Sequence, residues 1–257
     1  MENNTNANNN NVTNAENGKD MIPATGYAAL RDVDLPNLLG EELEDMDFAF
    51  DRIHTPKAGG TTFEVPGEIP GETDSVTDFT AVILYHHPLS FFFKDPYTGK
   101  KTQPTCCSYD GTIGIGTPGG NCRTCRLNKW GSRDNGAKLC KNKQRVYLLR
   151  EGDMLPVILS IPTGSLTIFK QYVCQLITRG LRYSGVVSRF HIVHSQGDGP
   201  SYPQVKVSFL RKLTEEELAC VSPIAGAVKE YAKSRQIEEY PEEVIDPETG
   251  EIIKPEA

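Results

Sequence analysis

The chain has 257 residues, 38% of them apolar and 24% charged, with a formal net charge of -7. That length suits one domain of ordinary size with tails, or two small ones, and the lack of any apolar run of about 20 residues excludes a protein anchored by transmembrane helices. The charge is unevenly spread: residues 1–80 carry 4 Lys/Arg against 16 Asp/Glu, residues 81–213 carry 19 against 6, and residues 214–257 carry 4 against 12. A basic middle between acidic ends is where an anionic polymer would bind.

In chain order, residues 1–27 form an Asn-rich tail too poor in apolar side chains to offset its ordering entropy, and it is expected to be disordered. Residues 28–77 are an acidic extension. It is expected to hold a short helix from Leu38 to Met46, strands Phe48–Ile53 and Thr61–Val65 joined across residues 57–60, and a linker from Pro66 to Asp74. The core is expected over 78–213. Phe79–Phe93 predicts a long apolar strand, 94–143 a Cys-rich insertion, and Arg145–Arg150 and Leu155–Ile161 two further strands. Ser165–Arg179 predicts an amphipathic helix with Leu166, Phe169, Val173, Leu176 and Ile177 as its buried stripe. Gly185–His194 and Tyr202–Leu210 predict a hairpin across residues 195–200. Thr214 and Glu217 form a capping box that opens a helix over 214–237, with a break expected at Pro223, and 238–257 is an acidic tail.

Strand, insertion, strand, strand, helix, strand, strand is the element order of an OB-fold. The fold class expected is therefore mainly β (α+β), an OB-fold-like five-stranded barrel with a zinc-binding insertion between its first two strands.

Four cysteines mark that insertion. Cys122-Arg-Thr-Cys125 is a C-x2-C knuckle, with Cys106 or its neighbour Cys107 ahead of it and Cys140 after it. A two-residue spacer lets two sulfurs of one tight turn reach the same metal, and four thiolates complete a tetrahedral structural zinc shell with no open position. No His lies between residues 94 and 190 to replace one of them. The N-terminus lacks a signal-peptide pattern, so the thiols are expected in a reducing, cytoplasmic setting. Cys174 and Cys220 are expected to be buried structural thiols.

Binding of single-stranded nucleic acid needs cations along the phosphates and aromatic faces for the bases. The candidates are Lys94, Tyr97, Lys101, Arg123, Arg126, Lys129, Trp130, Arg133, Lys141, Lys143, Arg145 and Tyr147. If Val146 and Leu148 face the core, Arg145 and Tyr147 share the opposite face of their strand. Catalytic signatures are missing: there is no P-loop, no G-x-G-x-x-G after a strand, no nucleophile elbow and no H-E-x-x-H. No enzyme is expected.

The segment reads Cys106-Cys-Ser-Tyr-Asp-Gly111, Pro118-Gly-Gly-Asn-Cys122-Arg-Thr-Cys125, Asn128-Lys-Trp-Gly-Ser132, Lys138-Leu-Cys140-Lys-Asn142 and Arg145-Val-Tyr-Leu-Leu149. It resembles a family of zinc-containing, OB-fold single-stranded DNA-binding proteins of bacteriophages and integrative mobile elements, and is similar in plan to the T4-type helix-destabilising protein. The resemblance covers about residues 40–215 loosely. Counting back from Asp110, it places the first metal ligand at Cys106, where Cys107 replaces the family's usual small residue. It implies a structural Zn2+ on Cys106, Cys122, Cys125 and Cys140 and sequence-nonspecific binding of single-stranded DNA in replication or recombination. It also implies a bacterial host cytoplasm and, by analogy, an acidic C-terminal tail that contacts replication or recombination proteins. An expectation of a different class is a zinc-stabilised protein-interaction adaptor, binding for example a host replication or defence factor, without DNA binding.

Overall fold

The computed structural model describes residues 26–30, 49–56, 60–67, 69, 71–95, 103–134, 136–195, 201–238, 244–245 and 252–253. In chain order the strands are β1 (Arg52–Ile53), β2 (Phe63–Pro66), β3 (Thr73–Val76), β4 (Asp78–Phe92), β5 (Cys106–Ser108), β6 (Ile113–Gly116), β7 (Gly120–Asn121), β8 (Lys141–Arg150), β9 (Val157–Ile161), β10 (Val186–His194), β11 (Pro203–Lys212), β12 (Val244–Ile245) and β13 (Ile252–Ile253). Helix α1 (Leu166–Thr178) joins β9 to β10, and α2 (Glu215–Glu238) follows β11. The fold is mainly β, with one mixed sheet and few helices.

β4 organises the sheet. Its fifteen residues pair antiparallel with β8, β5 and β10, which gives the lateral order β9-β8-β4-β10-β11 and a spur through β5, β6 and β7. The expected closed barrel is not found: among the described residues no ladder joins β9 to β11. The outer edge of β9 is taken instead by β1, in parallel register. The expected first hairpin is also replaced. β2 pairs with β3, which begins within the stretch expected to be linker, and meets the β1 segment at the antiparallel bridge of His54 and Glu64 and through Ile53, Phe63 and Val65 of one core cluster.

Alternation places an apolar layer on each face. Ala81, Ile83, Val146, Leu148, Leu159, Phe190 and Val205 meet Phe169, Tyr172 and Leu176 of α1 on one side. Val82, Leu84, Tyr147, Leu149 and Val187 meet Tyr27, Leu30 and Phe50 on the other, together with Val221, Ile224, Val228 and Ala232 of α2. Burying each of these large side chains stabilises the fold by about 1.5–3 kcal/mol. A bulge at Leu84 breaks the register between β4 and β8. It resets the alternation, so Tyr85 and His87 share the α2 side while His86 packs on Phe169 and Tyr183.

The helices depart from expectation in three places. In α1 Tyr172 belongs to the buried stripe, its hydroxyl 2.6 Å from Ser188 Oγ, whereas Ile177 is exposed. Cys174 lies exposed on the same helix, not buried, and Cys220 is half-buried. α2 does not break: it runs through Pro223, because the packed residues at 221, 224 and 228 hold it despite the missing N–H. The Asn-rich tail and the Leu38–Met46 helix lie outside the described residues. The acidic tail, expected to be disordered like the N-terminal one, departs from that at two places: β12 and β13 pair as a short antiparallel ladder, Val244 with Ile253 and Ile245 with Ile252.

The capping box forms as expected. Thr214 N–H donates to Glu217 Oε2 at 2.9 Å, and Glu217 N–H donates to Thr214 Oγ1 at 3.2 Å. Arg211 adds a two-pronged ion pair to the same carboxylate at 2.7 and 2.8 Å. That pair holds the carboxyl of Glu217 below the usual range against the opposing effect of burial. Glu217→Ala is therefore expected to cost about 2 kcal/mol, measured by urea unfolding, since a cap and a charge-assisted pair are lost together.

Candidate nucleic-acid interface and metal centre

The spur β5-β6-β7 and the loop from it to β8 carry the cysteines, and their shape comes from the short polar residues of the sequence motif. Asp110 Oδ1 accepts from Ser108 Oγ at 2.9 Å, Thr112 N–H at 2.6 Å and Ile113 N–H at 2.9 Å, closing the turn between β5 and β6. Gly111 in that turn has φ +67°, and a Cβ there would lie 2.7 Å from Pro88. Asn128 Nδ2 donates to Cys122 O at 2.9 Å. Ser132 Oγ donates to Leu127 O at 3.0 Å and accepts from Leu139 N–H at 2.9 Å. Asn142 Nδ2 donates to Ser90 Oγ at 2.9 Å and thereby ties the end of the insertion to β4.

Adjacent residues of a strand face opposite ways, and this separates Cys106 from Cys107. Cys107 lies across from Phe91 and Ile115 and packs against the small apolar cluster of Leu89, Phe91 and Tyr109. Cys106 lines a cavity of about 20 Å³ together with Cys122, Cys125 and Cys140; Cys107 borders the same cavity, so the distinction rests on the strand faces and on the contacts of the Cys106 sulfur. The cavity has room for one water-sized particle. Gly114 forms one wall: a Cβ there would come 3.0 Å from Cys106 Sγ and 3.6 Å from Cys122 Sγ. Burial raises the pKa of Cys140 to about 12, and the neighbouring Cys122, Cys106 and Cys125 push the same way. Burial likewise raises Cys106, with Cys122 and Cys125 adding to it and a hydrogen bond from Gly119 opposing. These thiols therefore favour the neutral form unless a cation offsets their mutual repulsion. Among the described residues no three His, Cys, Asp or Glu side chains already converge in coordination geometry.

The candidate cations and aromatics divide into two groups. Arg123, Arg126, Lys129 and Arg133 are exposed within eleven residues of the insertion, and Trp130 among them is 73% exposed. Lys138 Nζ lies 5.6 Å from the Trp130 ring centroid and donates to Asn128 Oδ1 at 3.3 Å and Asn142 Oδ1 at 3.2 Å. Lys94 is exposed at the base of the insertion, where its N–H donates to Thr105 Oγ1 at 3.0 Å. Lys141 is half-buried. Tyr97 and Lys101 lie outside the described residues.

β8 behaves differently. Arg145 and Tyr147 do share the face opposite Val146 and Leu148, but that face is covered: Tyr147 lies in the cluster with Tyr27, Phe50 and α2, and Tyr109 lies beside Arg145. Tyr147 is 1% exposed, Arg145 5% and Lys143 8%. Tyr147 is therefore a core residue, set edge-on to Phe50 with ring centroids 5.9 Å apart, and not a platform for bases. Lys143 and Arg145 are closed off from solvent, with the Arg145 guanidinium 6.0 Å from the Tyr109 ring centroid. Alternation correctly paired their faces; it carried no signal that both faces are covered.

His87 lies beside them, buried, in stacked contact with Tyr85 and Tyr147. Its Nδ1 is 2.7 Å from Tyr109 O, which can only accept, so Nδ1 carries the hydrogen. Its Nε2 is buried without a hydrogen-bond partner among the described residues. Burial first, and the Arg145 charge second, depress its pKa from 6.5 to about 4. The fold thus favours neutral His87. This contribution is complete above pH about 6.5 and is lost as pH falls toward about 4, a total of about 3 kcal/mol. Urea unfolding across that window should show the decline, and a His87→Phe variant should show a smaller one.

Compared with protein-family models, curated proteins and solved structures, the chain matches none. Among the described residues no helix is long and apolar enough to cross a membrane.

Proposed function

We propose that this is a sequence-nonspecific single-stranded DNA-binding protein acting in phage or mobile-element DNA replication or recombination. The observation that carries the proposal is Trp130, 73% exposed on a loop that also presents Arg123, Arg126, Lys129 and Arg133. A large flat side chain held in solvent among cations is what a base and its phosphate require, and it does little for a packed core. The lateral order β9-β8-β4-β10-β11, with α1 joining β9 to β10, supports an OB-type origin for the sheet, open at the β9–β11 seam.

In this reading a structural Zn2+ is held by Cys106, Cys122, Cys125 and Cys140, and it supplies a closed four-thiolate clamp with no catalytic position. The chemistry of the donor set, the small cavity and the missing Cβ at Gly114 support it. This chain's own part is to fix the loop that displays Trp130 and its cations. The acidic C-terminal segment is the proposed contact for replication or recombination proteins.

The test is an anisotropy titration of labelled oligo(dT) at low ionic strength, with duplex of equal length as competitor and the fluorescence of Trp130 followed in parallel. Tight binding that duplex displaces poorly, with Trp130 quenched, supports the reading. A protein that holds zinc but ignores oligonucleotides overturns it and leaves the adaptor alternative.

A further inference from the structure

Tyr202, a residue outside the basic insertion, is held in solvent in the same manner as Trp130. It is 45% exposed, yet fixed at backbone, ring and hydroxyl. Its N–H donates to Ser195 Oγ at 3.1 Å, and its carbonyl accepts from Ser195 N–H at 2.9 Å. Its ring lies against the backbone of Gly164, where a Cβ would come 2.6 Å from Tyr202 Cε2. Gln204 Nε2 donates both to Gly164 O at 2.8 Å and to the Tyr202 hydroxyl at 3.3 Å. An aromatic recruited only for its burial would not be fixed at three points with almost half its surface open.

The same contacts connect Tyr202 to Trp130. Gly164 adjoins Thr163, whose hydroxyl donates to Asn142 O. Asn142 Oδ1 accepts from Lys138 Nζ, and Lys138 lies at the Trp130 ring. The two exposed rings therefore sit at opposite ends of one hydrogen-bonded ridge across the start of β8. Lys138 is on that ridge, and Lys206 extends it: exposed, and on the same side of β11 as Gln204.

We infer that Tyr202 is a second stacking platform for the strand that stacks on Trp130, and that the strand runs along the Lys138–Asn142–Thr163 ridge between them. The inference rests on the single-stranded DNA reading and adds the path and its far end. The Trp130 and Tyr202 rings each take one base, and Gly164 lets the tyrosine ring lie open.

Two measurements on the full chain decide it. Oligo(dT) of about 16 nucleotides, within the site sizes of one such fold, carries 5-iodouracil in place of single thymines, and irradiated complexes are mapped by peptide. Crosslinks are expected at both Trp130 and Tyr202. In anisotropy titrations Tyr202→Ala should weaken binding about 5- to 100-fold, with Tyr202→Phe within about twofold of the unaltered chain. Gly164→Ala should weaken it as well by displacing the ring, with an unchanged melting temperature. Crosslinks at Trp130 alone, with Tyr202→Ala binding normally, overturn the inference and leave the DNA reading standing. If the unaltered chain fails to bind oligo(dT) at low ionic strength, both fall. Should Tyr202→Ala fail to fold, the crosslinking of the unaltered chain decides.

Discussion

Cys106→Ser is expected to reduce bound zinc from about one ion per chain to near zero after dialysis, while Cys107→Ser keeps it. The two residues are neighbours in sequence, and a simple thiol count would treat them alike. Their side chains leave β5 on opposite faces: the Cys106 sulfur beside Gly114, which also lies next to the Cys122 sulfur, and Cys107 toward Leu89, Phe91 and Tyr109. Affinity for oligo(dT) should follow the metal. A loop released from its clamp no longer holds Trp130 and the nearby cations in place, and loss of even one stacked base weakens binding about tenfold or more. The melting of the main sheet should move little, because neither apolar layer draws a residue from 106–140. Metal analysis of the two variants together with one titration of each is the check. Equal zinc content in both variants would refute the assignment of Cys106.

How much of this was legible beforehand follows from the range of the forces involved. β4, β8, β10, β11 and both helices announced themselves, because apolar periodicity is a local property of the chain. The Thr214–Glu217 box was readable for the same reason. What sequence did not carry was the cover placed over the sheet from far away. Tyr147 looked like an exposed partner of Arg145 until Tyr27, Phe50 and α2 were laid against it. The open β9–β11 seam escaped for a like reason: a strand was expected over Phe48–Ile53, but its pairing with the edge of β9, far away in the chain, left no local pattern. In the candidate site, the exposure of Trp130 was readable from its surroundings of Lys and Arg. Tyr202 was not, because its contacts with Gly164 and Gln204 appear only when β11 lies beside the 163–165 turn.

Neutralising Arg123, Arg126, Lys129 and Arg133 together to Gln should remove most of the salt dependence of oligonucleotide binding and most of the affinity at low ionic strength. Each phosphate neutralised on a single strand contributes about 0.7 to the slope of log affinity against log salt. Four such contacts account for a loss of about 50-fold in affinity between about 50 and about 200 mM salt, and the variant should keep only the smaller dependence supplied by Lys94, Lys138 and Lys206. All four side chains are exposed, so the melting temperature should hold. Lys143→Gln supplies the contrast. Lys143 is only 8% exposed, on the covered face of β8, so its replacement should lower stability and leave the salt slope as it was. A slope that responds to Lys143 and not to the four insertion residues would move the phosphate path off the cysteine loop and onto the sheet, and would require the cover over Lys143 to lift away before DNA could bind.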